Sequence, residues 1–123
     1  MGGHTINPYK DLRVWQEAMD LAEACYVLTR KFPKDELFGL TSQIRRASSS
    51  IAANIAEGHG RESTQSFIQF LRIAQGSLKE VETHLILAAR VQIVSTEQIA
   101  PFIERSEILG RKLRALIRTL QEK

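Results

Sequence analysis

Ser63 to Gln92 reads STQSFIQFLRIAQGSLKEVETHLILAARVQ, and its apolar residues fall at Phe67, Leu71, Ala74, Leu78, Val81, Leu85 and Ala88. Those steps alternate strictly between four and three, the spacing of a helix that keeps one apolar seam against a partner. No reading with period two fits the same residues, so this segment predicts a long helix over 63–92 and with it an all-α protein.

The flanking segments repeat the pattern. Downstream, residues 95–121 carry Ile99, Phe102, Ser106, Leu109, Leu113, Leu116 and Leu120 on one row, opened by Ser95-Thr96-Glu97-Gln98, a capping-box sequence. Pro101 is expected to kink or restart the first turn. Upstream, residues 36–58 place Leu40, Ile44, Ala47, Ile51, Ile55 and Gly58 at the same spacing, with Asp35 as the expected N-cap and Gly58 or Gly60 as the stop. Residues 11–32 hold Val14, Ala18, Leu21, Cys25, Leu28 and Phe32, beside a second stripe of Trp15, Met19, Ala22 and Tyr26 that predicts packing against several neighbours. Phe32-Pro33 closes that segment, because a residue before proline is pushed out of helical geometry.

Four helices joined by connections of about four residues favour antiparallel neighbours, hence an up-down-up-down four-helix bundle. The expected organisation is a flexible arm at 1–10 and a single domain at 11–123. A chain of 123 residues with 43% hydrophobic and 25% charged residues supports one core. No stretch is long and apolar enough to span a bilayer or resemble a signal peptide, so a cytoplasmic location without membrane contact is expected. Cys25 is the single cysteine and reads as core.

Within residues 36–58, Arg46, Ser50, Asn54 and Glu57 form a polar row bordering the apolar one. The small residues Ala47, Ser48, Ala52, Ala53 and Ala56 allow a neighbouring backbone to approach, and serine hydroxyls there can bond back to the preceding turn. Arg46 and Glu57 lie about 16 Å apart along one helix and cannot pair; Arg61 is placed to serve Glu57 across the turn. Gly76 and Gly110, each costing roughly 1 kcal/mol relative to alanine inside a helix, predict close packing at those points.

Net charge is +3, and its excess is confined to one half of the chain. Residues 1–60 hold seven Lys/Arg and seven Asp/Glu; residues 61–123 hold ten and seven. Arg111, Arg114 and Arg118 recur at steps of three and four and line one helix face, with Lys112 beside them. Catalytic chemistry is not expected. His4, His59 and His84 are scattered without ligand spacing, Ser48, Ser49 and Ser50 have no nearby histidine, and no phosphate-binding or zinc motif occurs. No metal and no cofactor is expected.

The strings DLRVWQEAMDLA (11–22), RRASSSIAANIAEGHGR (45–61), FLRIAQGSLKEVE (70–82) and LRALIRTL (113–120) together resemble the four-helix-bundle family encoded in intervening sequences of bacterial 23S ribosomal RNA genes. That resemblance covers nearly the whole chain from Asp11. It implies protomers assembled into a homopentameric ring, and an assembly role for Arg45, Arg46, Asn54, Glu57, Gly58 and Arg61. A related member, the accessory variability determinant of diversity-generating retroelements, has a basic surface and binds nucleic acid.

Apolar residues off the main rows (Phe70, Ile73, Ile103, Ile108 and Ile117) also point to burial between protomers. The expectation is therefore a non-catalytic homo-oligomer contacting RNA or DNA through Arg111, Lys112, Arg114 and Arg118. The alternative is an adaptor oligomer for a protein partner, without nucleic-acid activity.

Overall fold

A computed structural model of the protein describes residues 8–123. Four helices follow in order: α1 Arg13–Thr29, α2 Leu40–His59, α3 Thr64–Arg90 and α4 Thr96–Gln121. No strand occurs among the described residues. Contacts join α1 to α2, α2 to α3, α3 to α4 and, more loosely, α4 to α1, with no close backbone approach across the diagonals. The helices therefore stand at the corners of a square as an antiparallel bundle. No helix is long and apolar enough to cross a membrane among the described residues.

The core is the set of rows that the spacing predicted. Ala18, Cys25, Ile44, Ile51, Ile55, Leu71, Ala74, Val81, Leu85, Ala88 and Leu113 are fully buried. On α4 the buried row shifts at its C-terminal end. Ile117 is buried, whereas Leu116 and Leu120 are only partly so, because a helix of 3.6 residues per turn drifts against a strict seven-residue seam. Ile117 thus belongs to the intramolecular core and is not available between protomers.

The first connection departs from expectation. It spans residues 30–39, not about four, and contains a separate 3₁₀ turn, Lys34–Glu36. Asp35 is not the N-cap of α2. That position is Gly39, and the carboxylate of Glu36 accepts the Leu40 amide at 3.0 Å in place of a cap side chain. Pro33 is the reason: its fixed φ turns the chain before Glu36, and helical geometry resumes only after Gly39. At the other end Gly60 is the C-cap, with Gly58 inside the helix.

The remaining ends follow their signals. Ser63 caps α3 through the Ser66 amide, and Ser95 and Gln98 form the complete capping box at the start of α4. The α4 helix runs on through Pro101 without interruption. Of the expected arm, residues 1–7, including His4, lie outside the described residues. Tyr9–Asp11 form a 3₁₀ turn docked on the bundle, with Tyr9 edge-on to Trp15 at 5.2 Å and Gln16 donating to the Lys10 carbonyl at 2.9 Å. The second stripe of α1 is not uniformly buried: Ala22 is core, but Met19 and Tyr26 are 44% and 43% exposed within the protomer.

Candidate nucleic-acid interface

The capping box sets where α4 begins, and the buried residues Ile99, Leu109 and Leu113 set its rotation. Arg111, Arg114 and Arg118 are consequently turned outward. Arg111 and Arg114 line a groove of about 620 Å³ between α3 and α4, and α3 adds Lys79 to it. Further along the same edge a second groove of about 720 Å³ is lined by Arg72 and Lys123 with Gln69 and Gln121. Arg118, one turn beyond Arg114 and three residues before Gln121, falls between them. One edge of the bundle thus presents five cations lining two grooves, with Arg118 exposed on the same face of α4 but in neither lining.

Acids enter this edge at two points. Glu107 lines the first groove, and Glu82 lies within it. The Glu82 carboxylate is already engaged: Oε2 accepts from Ser106 Oγ at 2.6 Å, and Oε1 lies 3.4 Å from Lys79 Nζ. Lys79 itself remains 73% exposed. No ion pair involves Arg72, Arg111, Arg114 or Arg118 among the described residues. Their charge is available to a ligand.

Lys112 does not join this set. Its ammonium lies 2.7 Å from Glu17 Oε2 of α1, across the opposite side of α4. A shift of one residue from Arg111 rotates the side chain by about 100° around the helix, enough to move it from one edge of the square to the next.

The polar side chains of the central α2 motif make contacts within the protomer, some across to α1 and α3 and others inside their own helix. Arg45 Nε donates to Thr29 Oγ1 at 2.9 Å, and its guanidinium stacks over Tyr26 at 4.7 Å, tying α2 to α1. Asn54 donates to the Ser50 carbonyl and hydroxyl at 2.8 and 3.0 Å, and Ser50 meets Ser77 of α3 at 2.9 Å. Ser48 and Ser49 donate back to the carbonyls of Arg45 and Arg46. Glu57 pairs with Arg61 at 2.8 Å, and the Arg61 guanidinium lies 4.9 Å from the Phe70 ring. Arg46 alone of the motif cations is exposed without a partner among the described residues.

Gly58 has a packing reason: a Cβ there would lie 2.6 Å from Phe70 Cβ. Gly76 has none within the chain, since no atom would come within 4 Å of its Cβ, and Gly110 would meet only Leu78 Cδ1 at 3.8 Å. The expectation of close packing at these two glycines is therefore not met in the protomer. Both line the 620 Å³ groove, where the missing side chains widen the opening.

Reading the sequence one helix at a time missed Arg72 and Lys79. Arg72 and Lys79 lie seven residues apart on α3, a spacing that puts them on one face. That signal was present, but the facing of this edge by α4 was not. No group of three or more His, Cys, Asp or Glu side chains converges among the described residues.

Comparison with known proteins agrees with this fold. The family model described as 23S rRNA-intervening sequence protein matches residues 10–115. A solved structure from Bacteroides thetaiotaomicron VPI-5482, described as a protein of unknown function from the S23 ribosomal protein family, superposes with a TM-score of 0.79 at 27% identity. The match covers 85% of this chain and 95% of that one. No curated protein matches.

Proposed function

This chain belongs to the 23S rRNA-intervening sequence protein family, and on that premise we propose that it is a cytoplasmic, non-catalytic, homo-oligomeric module, taken as a pentamer, that binds RNA or DNA. The observation that carries the reading is the α3–α4 edge, where Arg111, Arg114 and Lys79 line one groove and Arg72 and Lys123 the next, with Arg118 exposed on the same face of α4. Cations spaced along a trough match a run of phosphates, and their affinity comes from releasing counterions. Glutamine and serine side chains in the same grooves offer hydrogen bonds to phosphate or sugar oxygens. No aromatic ring lines either groove, so base stacking is not part of the binding. Contact is to the backbone and independent of sequence.

Fluorescence anisotropy with single-stranded RNA and duplex DNA, over a range of salt, tests this. Affinity is expected to fall steeply with salt, and each phosphate contact removed lowers the slope of log K against log salt by roughly 0.7–0.9. Arg111→Ala/Arg114→Ala/Arg118→Ala should therefore bind more weakly with a shallower slope, whereas Lys112→Ala, which removes a lysine paired to Glu17, should follow the parent. Absence of binding at low salt would eliminate the nucleic-acid reading and leave an adaptor for a protein partner.

A further inference from the structure

Phe38 is 92% exposed and Leu37 beside it 51%, on the connection between α1 and α2. Neither side chain is loosely held at its backbone. Pro33 begins a 3₁₀ turn, Leu37 and Gly39 close it through amides donated to the carbonyls of Lys34 and Glu36, and the Glu36 carboxylate accepts from Leu40. A Cβ on Gly39 would lie 2.7 Å from that same carboxylate, which would have to turn aside and give up its bond to Leu40. The loop presents an aromatic knob on a preorganised support, which lowers the ordering cost of inserting it into a partner.

At the same end of the bundle lies a groove of about 450 Å³ in the loosely closed α1–α4 seam. Its floor is Val27, Leu28 and Phe102, and its rim carries Asp20, Glu23 and Lys31. A phenyl side chain buries on the order of 150–250 Å² when covered, and an apolar floor of this kind suits it. The charges around the knob have opposite partners on the rim: Lys34 for Asp20 and Glu23, and Asp35 for Lys31. Both features lie towards the end of the bundle where α1 finishes and α4 begins.

We infer that Phe38 of one copy inserts into the Val27–Leu28–Phe102 groove of a second copy of this chain. Rotation about an axis running along the bundle keeps that end of one copy beside the same end of the next, where both knob and groove lie. Because the two surfaces differ, the contact is heterologous and repeats from copy to copy until a ring closes. This inference rests on the homo-oligomeric reading and specifies its interface, on edges distinct from the basic α3–α4 edge.

The experiment is mass by light scattering, followed by cysteine cross-linking. The parent protein should be an oligomer, and Phe38→Ser and Val27→Glu should each lower its mass while leaving the helical circular dichroism unchanged, since both side chains are exposed in the protomer. Under mild oxidation, Phe38→Cys mixed and reassembled with Val27→Cys should give a disulfide-linked pair that neither variant gives alone. A monomeric parent overturns both the oligomer and this interface. An oligomeric parent whose mass survives both substitutions, or a Phe38→Cys sample that cross-links to itself, overturns the interface and leaves the oligomer standing.

Discussion

Ser106 of α4 donates to Glu82 Oε2 of α3 at 2.6 Å, so one hydrogen bond joins the two helices that form the basic edge. Ser106 is buried, and the Glu82 side chain is 13% exposed. A hydrogen bond to a carboxylate contributes about 1.5–3 kcal/mol, more than a neutral pair, and its loss leaves a buried hydroxyl without an acceptor. Glu82→Ala is expected to lower stability by about 1–3 kcal/mol, read as a fall in the urea midpoint. Glu82→Gln retains an acceptor and should lose less; equal midpoints for all three proteins would refute the role of this bond.

Gly58 and Gly76 should respond to alanine in opposite directions. At Gly58 a methyl group meets Phe70 Cβ at 2.6 Å and Phe67 Cδ1 at 3.1 Å, and overpacking of this kind costs about 1–3 kcal/mol. At Gly76 the methyl enters open space, so only the gain in helix propensity remains, about 1 kcal/mol in favour of alanine. Thermal unfolding of Gly58→Ala and Gly76→Ala should accordingly move below and above the parent midpoint. A destabilised Gly76→Ala would show that something occupies that space.

Gln92 is the non-glycine residue with positive φ, 67°, among the described residues. It ends α3 in a Schellman arrangement: Ile93 donates to the Ala88 carbonyl at 2.9 Å and Gln92 to that of Ala89 at 3.0 Å. A side chain in this conformation costs about 1 kcal/mol that glycine avoids. Gln92→Gly should raise the midpoint of thermal unfolding by a few degrees, and Gln92→Val should lower it. The same order for both would argue against backbone strain as the cause.

Cys25 is wholly buried, and burial pushes its thiol from 9.0 up to about 11, with the Ser48 hydroxyl and the charge of Arg105 opposing. In the unfolded chain the thiol ionises near its ordinary value. Because the folded pKa is the higher, this group's contribution to stability is intact below about pH 9 and is lost as pH rises towards about 11. Cys25→Ala should remove that component of the alkaline decline. A thiol reagent at pH 8 should leave the native protein unmodified and react fully in denaturant; rapid reaction of the native protein would contradict the burial.

The heptad of α3 and the rows of α1 and α2 were legible in the sequence because helical periodicity is local: each apolar position is defined by its neighbours three and four residues away. The cap at Ser95 was legible for the same reason. The region from Pro33 to Gly39 was not, since Asp35 and Glu36 are both able to cap, and only the 3₁₀ turn decides which carboxylate reaches Leu40. Arg45 shows the same limit. Its type and its place in the motif were visible, but Thr29 and Tyr26, sixteen and nineteen residues away, became its partners through the packing of α2 on α1.

By itself the sequence determined an all-α bundle, its core rows and the outward face of Arg111, Arg114 and Arg118, because a repeat of 3.6 residues converts spacing directly into direction. Tertiary structure alone decided which helix stands opposite that face. It brought Lys79 and Arg72 to the same edge, committed Lys112 to Glu17 on another, and placed Phe38 and the Val27–Phe102 groove towards one end of the bundle. Those are relations between separate helices, set by how four apolar stripes share one core, and spacing within a single helix carries no record of them.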